Sequence, residues 1–351
     1  MASLTPPVAQ NAPAGTAGAR GSKVGTQPDW ELPRPGKRRL LEVSELDVWI
    51  GNDRKTRLLE SVSLDIEDGE FLALVGESGS GKSLLCSTLM DILPDKLHAS
   101  GKIHFDGKSL AEAGRSSRAM IFQQPTRFLN PVRTIGFQLG ETVRIASGLS
   151  KREADDRTLF LIDAVGIDDA RAVSRKYPHQ LSGGMNQRVM IALALARQPR
   201  LLIADEPTSA LDVTTQRQIM DLIERLRSEW NMAILFVTHD LDLALERADR
   251  IGVIYAGQLV ENAHAEEIAR RPVHPYTRHL FSAVPEISTA PSKLVSLPGG
   301  VPDPAIRADG CHFAQRCSNV LDVCRSTTPI FASRAANTVA CHNPGADHAA
   351  S

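Results

Sequence analysis

The segment Gly76-Glu77-Ser78-Gly79-Ser80-Gly81-Lys82-Ser83 packs glycines, hydroxyls and one lysine into a single short turn. Its spacing, G-x-x-x-x-G-K-[ST], lets backbone N–H groups curl around a phosphate chain. Lys82 is placed to reach β- and γ-phosphates, and the Ser83 hydroxyl to ligate Mg2+. The flanks suit that chemistry. The apolar run Phe71–Val75 precedes the turn, and Leu84–Ile92 after it fits a helix whose positive end would face the anion. A second chemical group is Leu201-Leu-Ile-Ala-Asp205-Glu206-Pro207, two carboxylates closing an apolar run. Open α/β sheets place ligand chemistry at the C-terminal ends of strands. Asp205 is suited to hold Mg2+ through its water shell, and Glu206 to take a proton from an attacking water. ATP and Mg2+ are the expected ligands.

These groups need strands and helices to hold them. Leu41–Val48 alternates apolar and polar residues as a half-buried strand does, and a second strand runs through Ser61–Ile66. Asp68-Gly69 turns the chain into Phe71–Val75. That run, Leu201–Ala204 and Ala233–Val237 are apolar throughout, as strands covered on both faces are. Helical patterns lie between them at Asn186–Ala196 and Thr214–Trp230. The alternation predicts an α/β fold with a parallel sheet. Residues 1–36, rich in Pro, Gly and Ala, are expected to be a disordered tail. The pattern weakens after Leu259, and Pro285–Pro304 reads as loop. The expected division is a catalytic domain over 37–260 and an accessory segment over 261–351 that needs a staple, because its core is small.

Composition sets limits on function. Among 351 residues, Lys+Arg 40 balance Asp+Glu 41, a formal net charge of −1. That excludes nucleic-acid binding through overall positive charge, and no nucleic-acid partner is expected. The apolar runs fall far short of the ~20 residues a spanning helix needs. The N-terminus has neither a basic region nor an apolar stretch of the secretory kind, so a reducing compartment is expected. There, clustered cysteines bind metal more often than they form disulfides. Cys86 stands alone on the helix after the glycine-rich turn and reads as a core residue. Cys311, Cys317, Cys324 and Cys341 gather near the end of the chain. Four thiolates can hold zinc or an iron–sulfur cluster, and spacing does not separate the two. Unliganded or disulfide-linked thiols also stay open.

Further motifs carry a resemblance. Leu181-Ser182-Gly183-Gly184-Met185-Asn186-Gln187-Arg188 resembles the signature of ABC-type ATPases and lies just upstream of Asp205-Glu206, as in that family. Gln123 in Met120–Pro125 resembles its Q-loop, Ser209–Asp212 its D-loop, and His239 in Val237–Asp240 its switch histidine. The resemblance implies a P-loop ATPase fold with a helical insertion over about 125–185. It also implies two such domains closing head to tail over ATP. Ser182, Gly183 and Gly184 would then cap the γ-phosphate bound to the opposite P-loop, with Asp212 acting across the pair. His239 would contact the γ-phosphate and the water, and Gln123 would reach Mg2+ and the coupling interface. The family stacks adenine on an aromatic side chain at the end of its first strand. Register places Ile50 there while the aromatic is Trp49, and a one-residue slip reverses the face of a strand. Either a bulge turns Trp49 inward or the adenine packs on an aliphatic side chain, and Trp49 is the expected residue.

The P-loop, the Leu201–Val213 stretch and Arg270-Arg-Pro-Val-His-Pro-Tyr-Thr277 further resemble the oligopeptide/dipeptide permease ATPases, with a signature closer to the D-type subunit than to its F-type partner. That implies a bacterial importer: two integral membrane permease subunits, a second, F-type ATPase and an external solute-binding protein. This chain would sit at the cytoplasmic face of the inner membrane. Members carry a cysteine quartet on their C-terminal extension, which favours a [4Fe-4S] cluster over Zn2+. Nickel, glutathione or another solute stays open as cargo, as does a soluble ATPase that remodels ribosomes or DNA.

Overall fold

A computed structural model describes residues 38–52, 54–115, 117–282, 299–307, 309–334 and 337–344. The 1–36 tail and most of the expected 285–304 loop lie outside these residues. A first sheet is antiparallel and joins β1 (Arg39–Ile50), β2 (Thr56–Glu67), β4 (Leu97–Phe105) and β5 (Lys108–Ser109) in the order β2-β1-β4-β5. Between β2 and β4 the chain runs through β3 (Phe71–Val75), a strand of the second sheet. That sheet adds β6 (Arg118–Ile121), β7 (Leu201–Asp205), β8 (Ala233–Thr238), β9 (Arg250–Tyr255), β10 (Gln258–His264), β11 (Phe331–Arg334) and β12 (Asn337–Ala340). Its order is β11-β12-β10-β9-β3-β8-β7-β6. The five strands β9-β3-β8-β7-β6 are parallel. Strands β10, β12 and β11 extend the sheet by antiparallel pairing. The molecule is therefore mixed, with a parallel heart and antiparallel flanks.

The fully apolar runs are explained by two cores. Phe71, Ala73 and Val75 of β3 face one hydrophobic cluster while Leu72 and Leu74 face another. The same division splits Leu202 and Ala204 from Leu201 and Ile203 in β7, and Ile234 and Phe236 from Leu235 and Val237 in β8. A strand sandwiched in this way has no solvent face on which a polar residue would be stable. Each buried Val, Leu, Ile or Phe among them contributes roughly 1.5–3 kcal/mol by leaving water.

Residues after β6 form the helices Pro125–Phe128, Ile135–Ser147 and Lys151–Ala164, packed against the helix Gly183–Leu195, and Ala170–Ser174, packed on Ile135–Ser147 and Lys151–Ala164. Ser150 opens the Lys151–Ala164 helix with a capping box closed by Glu153. The division drawn near residue 260 falls inside β10, and β12 pairs with β10 at Glu261–Val339 and Asn262–Thr338. The C-terminal segment thus borrows the edge of the catalytic sheet.

Candidate nucleotide site

The glycine-rich turn leaves β3 directly and enters the helix Lys82–Leu89 with Gly81 as its N-cap. Two of its glycines are required by space. A Cβ at Gly76 would collide with the Ile254 carbonyl oxygen of β9, and one at Gly81 (φ +105°) would lie 2.6 Å from Leu59 Cδ2. Lys82 folds under the loop and donates from Nζ to the carbonyls of Gly76 (2.8 Å) and Glu77 (3.0 Å). Burial lowers its pKa, opposed by the nearby Glu206 and Asp205 carboxylates. Ser80 Oγ is buried with no hydrogen-bond partner among the described residues. A hydroxyl left unpaired inside a P-loop is what an absent oxyanion would satisfy.

The carboxylates lie opposite. Ser83 Oγ donates to Asp205 Oδ1 at 3.1 Å. Burial raises the Asp205 pKa, offset in part by that hydroxyl, while the neighbouring Glu206 raises it further. A divalent cation would relieve both effects, and the oxygen donors here suit a hard ion. Glu206 has a left-handed backbone (φ +45°), a conformation that costs a non-glycine residue about 1–3 kcal/mol and often marks functional sites. Its N–H donates to the Val237 carbonyl at 3.0 Å, and its own carbonyl accepts from Ser209 Oγ at 3.1 Å. The side chain is thereby aimed at two neighbours. Gln123 Nε2 donates to Glu206 Oε2 at 2.9 Å, and His239 Nδ1 lies 3.5 Å from the same oxygen. Lys82, Ser83, Gln123, Asp205, Glu206 and His239 form one constellation.

The signature and D-loop residues have other partners in the single chain. Ser182 is the N-cap of the helix Gly183–Leu195 and accepts from Met185 N at 3.3 Å, so Gly183 and Gly184 fill its first turn. Asp212 caps the helix Val213–Trp230, accepting from Thr215 N (3.0 Å) and Thr215 Oγ1 (2.7 Å). Among the described residues, the hydrogen bonds of Ser182 and Asp212 go to their own helices. Each helix N-terminus leaves N–H groups pointing outward, a ready anion site.

Strand β1 does carry a register shift between Val48 and Trp49. Val48 and Trp49 are both buried as a result, while Ile50 is 43% exposed. The Trp49 ring stacks on His98, with the Arg54 guanidinium 4.2 Å from its centroid.

Cys86 is fully buried, and burial pushes its thiol pKa well up, as a core residue requires. Burial also raises the thiols of Cys317, Cys311 and Cys341, the last two to about 11. Repulsion from Cys311, Cys317 and Cys324 adds to the rise at Cys341. Backbone N–H groups also reach sulfur, as from Asn319 to Cys317 Sγ at 3.3 Å. The donor chemistry therefore fits a thiolate-bound centre. The placement does not, since among the described residues no three His, Cys, Asp or Glu side chains converge to hold an ion.

Two contacts escaped the sequence. Tyr276 Oη accepts from the Glu77 N–H at 2.9 Å, and Arg316 Nη1 donates to both Glu77 carboxylate oxygens at 3.0 and 3.1 Å. In sequence, Tyr276 is marked only by the Arg270–Thr277 stretch, and Arg316 only by its place between Cys311 and Cys317.

A P-loop on a parallel sheet, an Asp-Glu strand end, and a glutamine and histidine meeting on that glutamate together define an ABC-type ATPase. Residues 59–209 match the ABC transporter family and residues 260–324 match the oligopeptide/dipeptide transporter C-terminal region. The dipeptide transport ATP-binding protein DppD of Haemophilus influenzae is 43% identical over 317 residues, covering 87% of this chain and 96% of that one. Among solved structures, cbiO1 of Clostridium perfringens, part of the ABC transporter complex cbiONQ, superposes with TM-score 0.57 at 28% identity, covering 66% of this chain and 90% of that one. A dimeric ATP-binding cassette in a post-hydrolysis state with ADP and Pi gives TM-score 0.56 at 27% identity, over 64% of this chain and 98% of that one. The chain belongs to the oligopeptide/dipeptide family of ABC transporter ATP-binding subunits.

Proposed function

We propose that this chain is the ATP-hydrolysing subunit that energises a bacterial importer of dipeptides or oligopeptides. The observation that carries the reading is the union, in one chain, of a complete nucleotide site with a C-terminal region of the oligopeptide/dipeptide transporter type. Among the described residues no helix is long and apolar enough to cross a membrane. Transport therefore needs partners: two integral membrane permease subunits, a second, F-type ATPase and an external solute-binding protein. The site of work is the cytoplasmic face of the inner membrane.

Chemistry follows from the side chains. P-loop amides, the unpaired Ser80 hydroxyl and the Lys82 ammonium hold the triphosphate, with Lys82 exchanging its two loop carbonyls for phosphate oxygens. Ser83, Asp205 and Gln123 are the residues that would hold Mg2+, which supplies positive charge against the phosphates. Glu206 accepts the proton of the attacking water, oriented by Gln123 and His239. The first turn after Ser182 caps the γ-phosphate of the partner domain, with Asp212 beside it. A dimeric relative with ADP and Pi supports that arrangement. Trp49, beside the register shift in β1, is the residue we assign to adenine stacking.

The cysteine quartet is our proposed staple of the C-terminal segment; its four thiols would have to converge from their present placement to hold an iron–sulfur cluster, with zinc as the alternative. Anaerobically purified protein should be brown, with visible absorption lost in Cys317→Ser. Colourless protein with stoichiometric zinc would exclude the cluster, and metal-free protein would exclude both.

The transport reading is tested by tagging the chain and purifying it from gently solubilised host membranes. Two polytopic proteins and a second ABC ATPase should co-purify. Recovery with ribosomes or nucleic acid would overturn the reading.

A further inference from the structure

Glu77, the first variable residue of the P-loop, is gripped from outside the ATPase motifs. Its N–H is taken by Tyr276 Oη and its carboxylate by Arg316, which lie 199 and 239 positions away. The Arg316 side chain is only 8% exposed and also donates to Tyr255 Oη at 3.2 Å. Its backbone is fixed in turn, because Arg316 N donates to the Phe313 carbonyl at 3.0 Å. Phe313 is buried against Tyr255, Tyr276 and His274. Arg316 directly precedes Cys317, and Cys311 N donates to the Cys324 carbonyl at 2.8 Å, so the cysteine-bearing turns are built into the same block.

A free carboxylate at Glu77 would be an anion beside a bound triphosphate. Pairing it with the Arg316 guanidinium, whose Nη1 donates to both carboxylate oxygens, neutralises that charge and restrains the side chain. The Glu77 carbonyl meanwhile accepts from Lys82 Nζ, so the residue that Arg316 restrains is linked to the lysine that must reach the phosphates.

We infer that Arg316 is a positioning residue for the P-loop, through which the C-terminal cysteine segment sets the affinity of the site for ATP. The inference rests on the ATPase reading above and adds a regulatory role for the extension. Arg316 contacts no reacting atom, so its loss should act on nucleotide binding and leave the chemical step intact.

The test measures MgATP binding and steady-state hydrolysis by the full chain in its purified transporter assembly, comparing wild type with Arg316→Ala, Arg316→Lys, Glu77→Gln and the Arg316→Ala/Glu77→Gln double variant. Arg316→Ala should raise Kd and KM for ATP about tenfold, the loss expected of one charge-assisted pair, with kcat within about twofold of wild type. Arg316→Lys should recover part of the affinity. The double variant should bind no worse than Arg316→Ala alone, because removing the Glu77 charge removes the repulsion that Arg316 screens. Unchanged KM in a stably folded Arg316→Ala, additive losses in the double variant, or an equal fall in kcat would each overturn the inference. Should Arg316→Ala fail to fold, Arg316→Lys decides it: wild-type ATP affinity in that variant would overturn the inference. If Lys82→Ala loses ATP while the Arg316 variants do not, the positioning role falls and the ATPase reading stands. A wild-type assembly that binds no ATP overturns both.

Discussion

Gln123 and Glu206, on different strand ends 83 positions apart, share a hydrogen bond of 2.9 Å. The bond ties the residue after β6 to the carboxylate after β7, and those strands are parallel neighbours. Movement of the helical insertion that follows Gln123 would therefore reach Glu206 directly. In a subunit that must link hydrolysis to a membrane partner, this is a short route for the signal.

Glu206→Gln keeps the shape and hydrogen-bonding capacity of the side chain but removes its basicity. The variant should bind ATP with near wild-type affinity and lose at least about 100-fold in phosphate release. Near-normal turnover would remove Glu206 as the base.

Lys82→Ala deletes the ammonium that now spans the Gly76 and Glu77 carbonyls. ATP affinity should fall at least about tenfold in equilibrium binding, since a charge-assisted contact to phosphate is lost. Unchanged affinity would undercut the phosphate cradle.

Trp49→Ala should weaken ATP binding about tenfold, within the range for removing one base–aromatic stack, while Trp49→Tyr should keep most of it. Triphosphate alone, competed against a fluorescent nucleotide, should bind wild type and Trp49→Ala equally. Equal ATP affinity in all three proteins would assign Trp49 to packing against His98 and Arg54.

His274 supplies a pH signature. It is buried, its Nδ1 accepts from Tyr276 N at 3.0 Å, and burial, aided by the Arg278 charge, lowers its pKa to about 3. Because the folded value lies below the unfolded one, stability is complete above about pH 6.5 and declines as pH falls toward 3. At pH 5.5 the loss should be about 1 kcal/mol. In thermal unfolding, wild type should lose about 2 °C more between pH 7.5 and 5.5 than His274→Asn, whose side-chain oxygen can take over the acceptor role. Parallel declines would show that His274 does not titrate in this way.

Legibility tracked how local each feature is. The strands β3, β7 and β8 were readable because burial between two cores leaves every position apolar. The P-loop, Asp205-Glu206 and the signature were readable because their chemistry needs fixed residue types at fixed spacing. Strand β4 was not, since Leu97–Phe105 is mostly polar and buries little beyond Phe105. Strand β12 takes its place from pairing with β10, a relation 76 residues long at Asn262–Thr338. The bulge before Trp49 depends on how β1 meets β2, which alternation along β1 alone does not reveal. The grip of Tyr276 and Arg316 on Glu77 left no local pattern, because each residue is unremarkable in its own neighbourhood and gains meaning only where the chain returns to the P-loop.

The central claim is that ATP hydrolysis at this site drives peptide import. The direct measurement places the purified assembly in vesicles and follows uptake of a labelled dipeptide together with phosphate release. Uptake should require ATP and the solute-binding protein, and both signals should disappear in Glu206→Gln. Hydrolysis without peptide accumulation, or uptake that persists in Glu206→Gln, would contradict it.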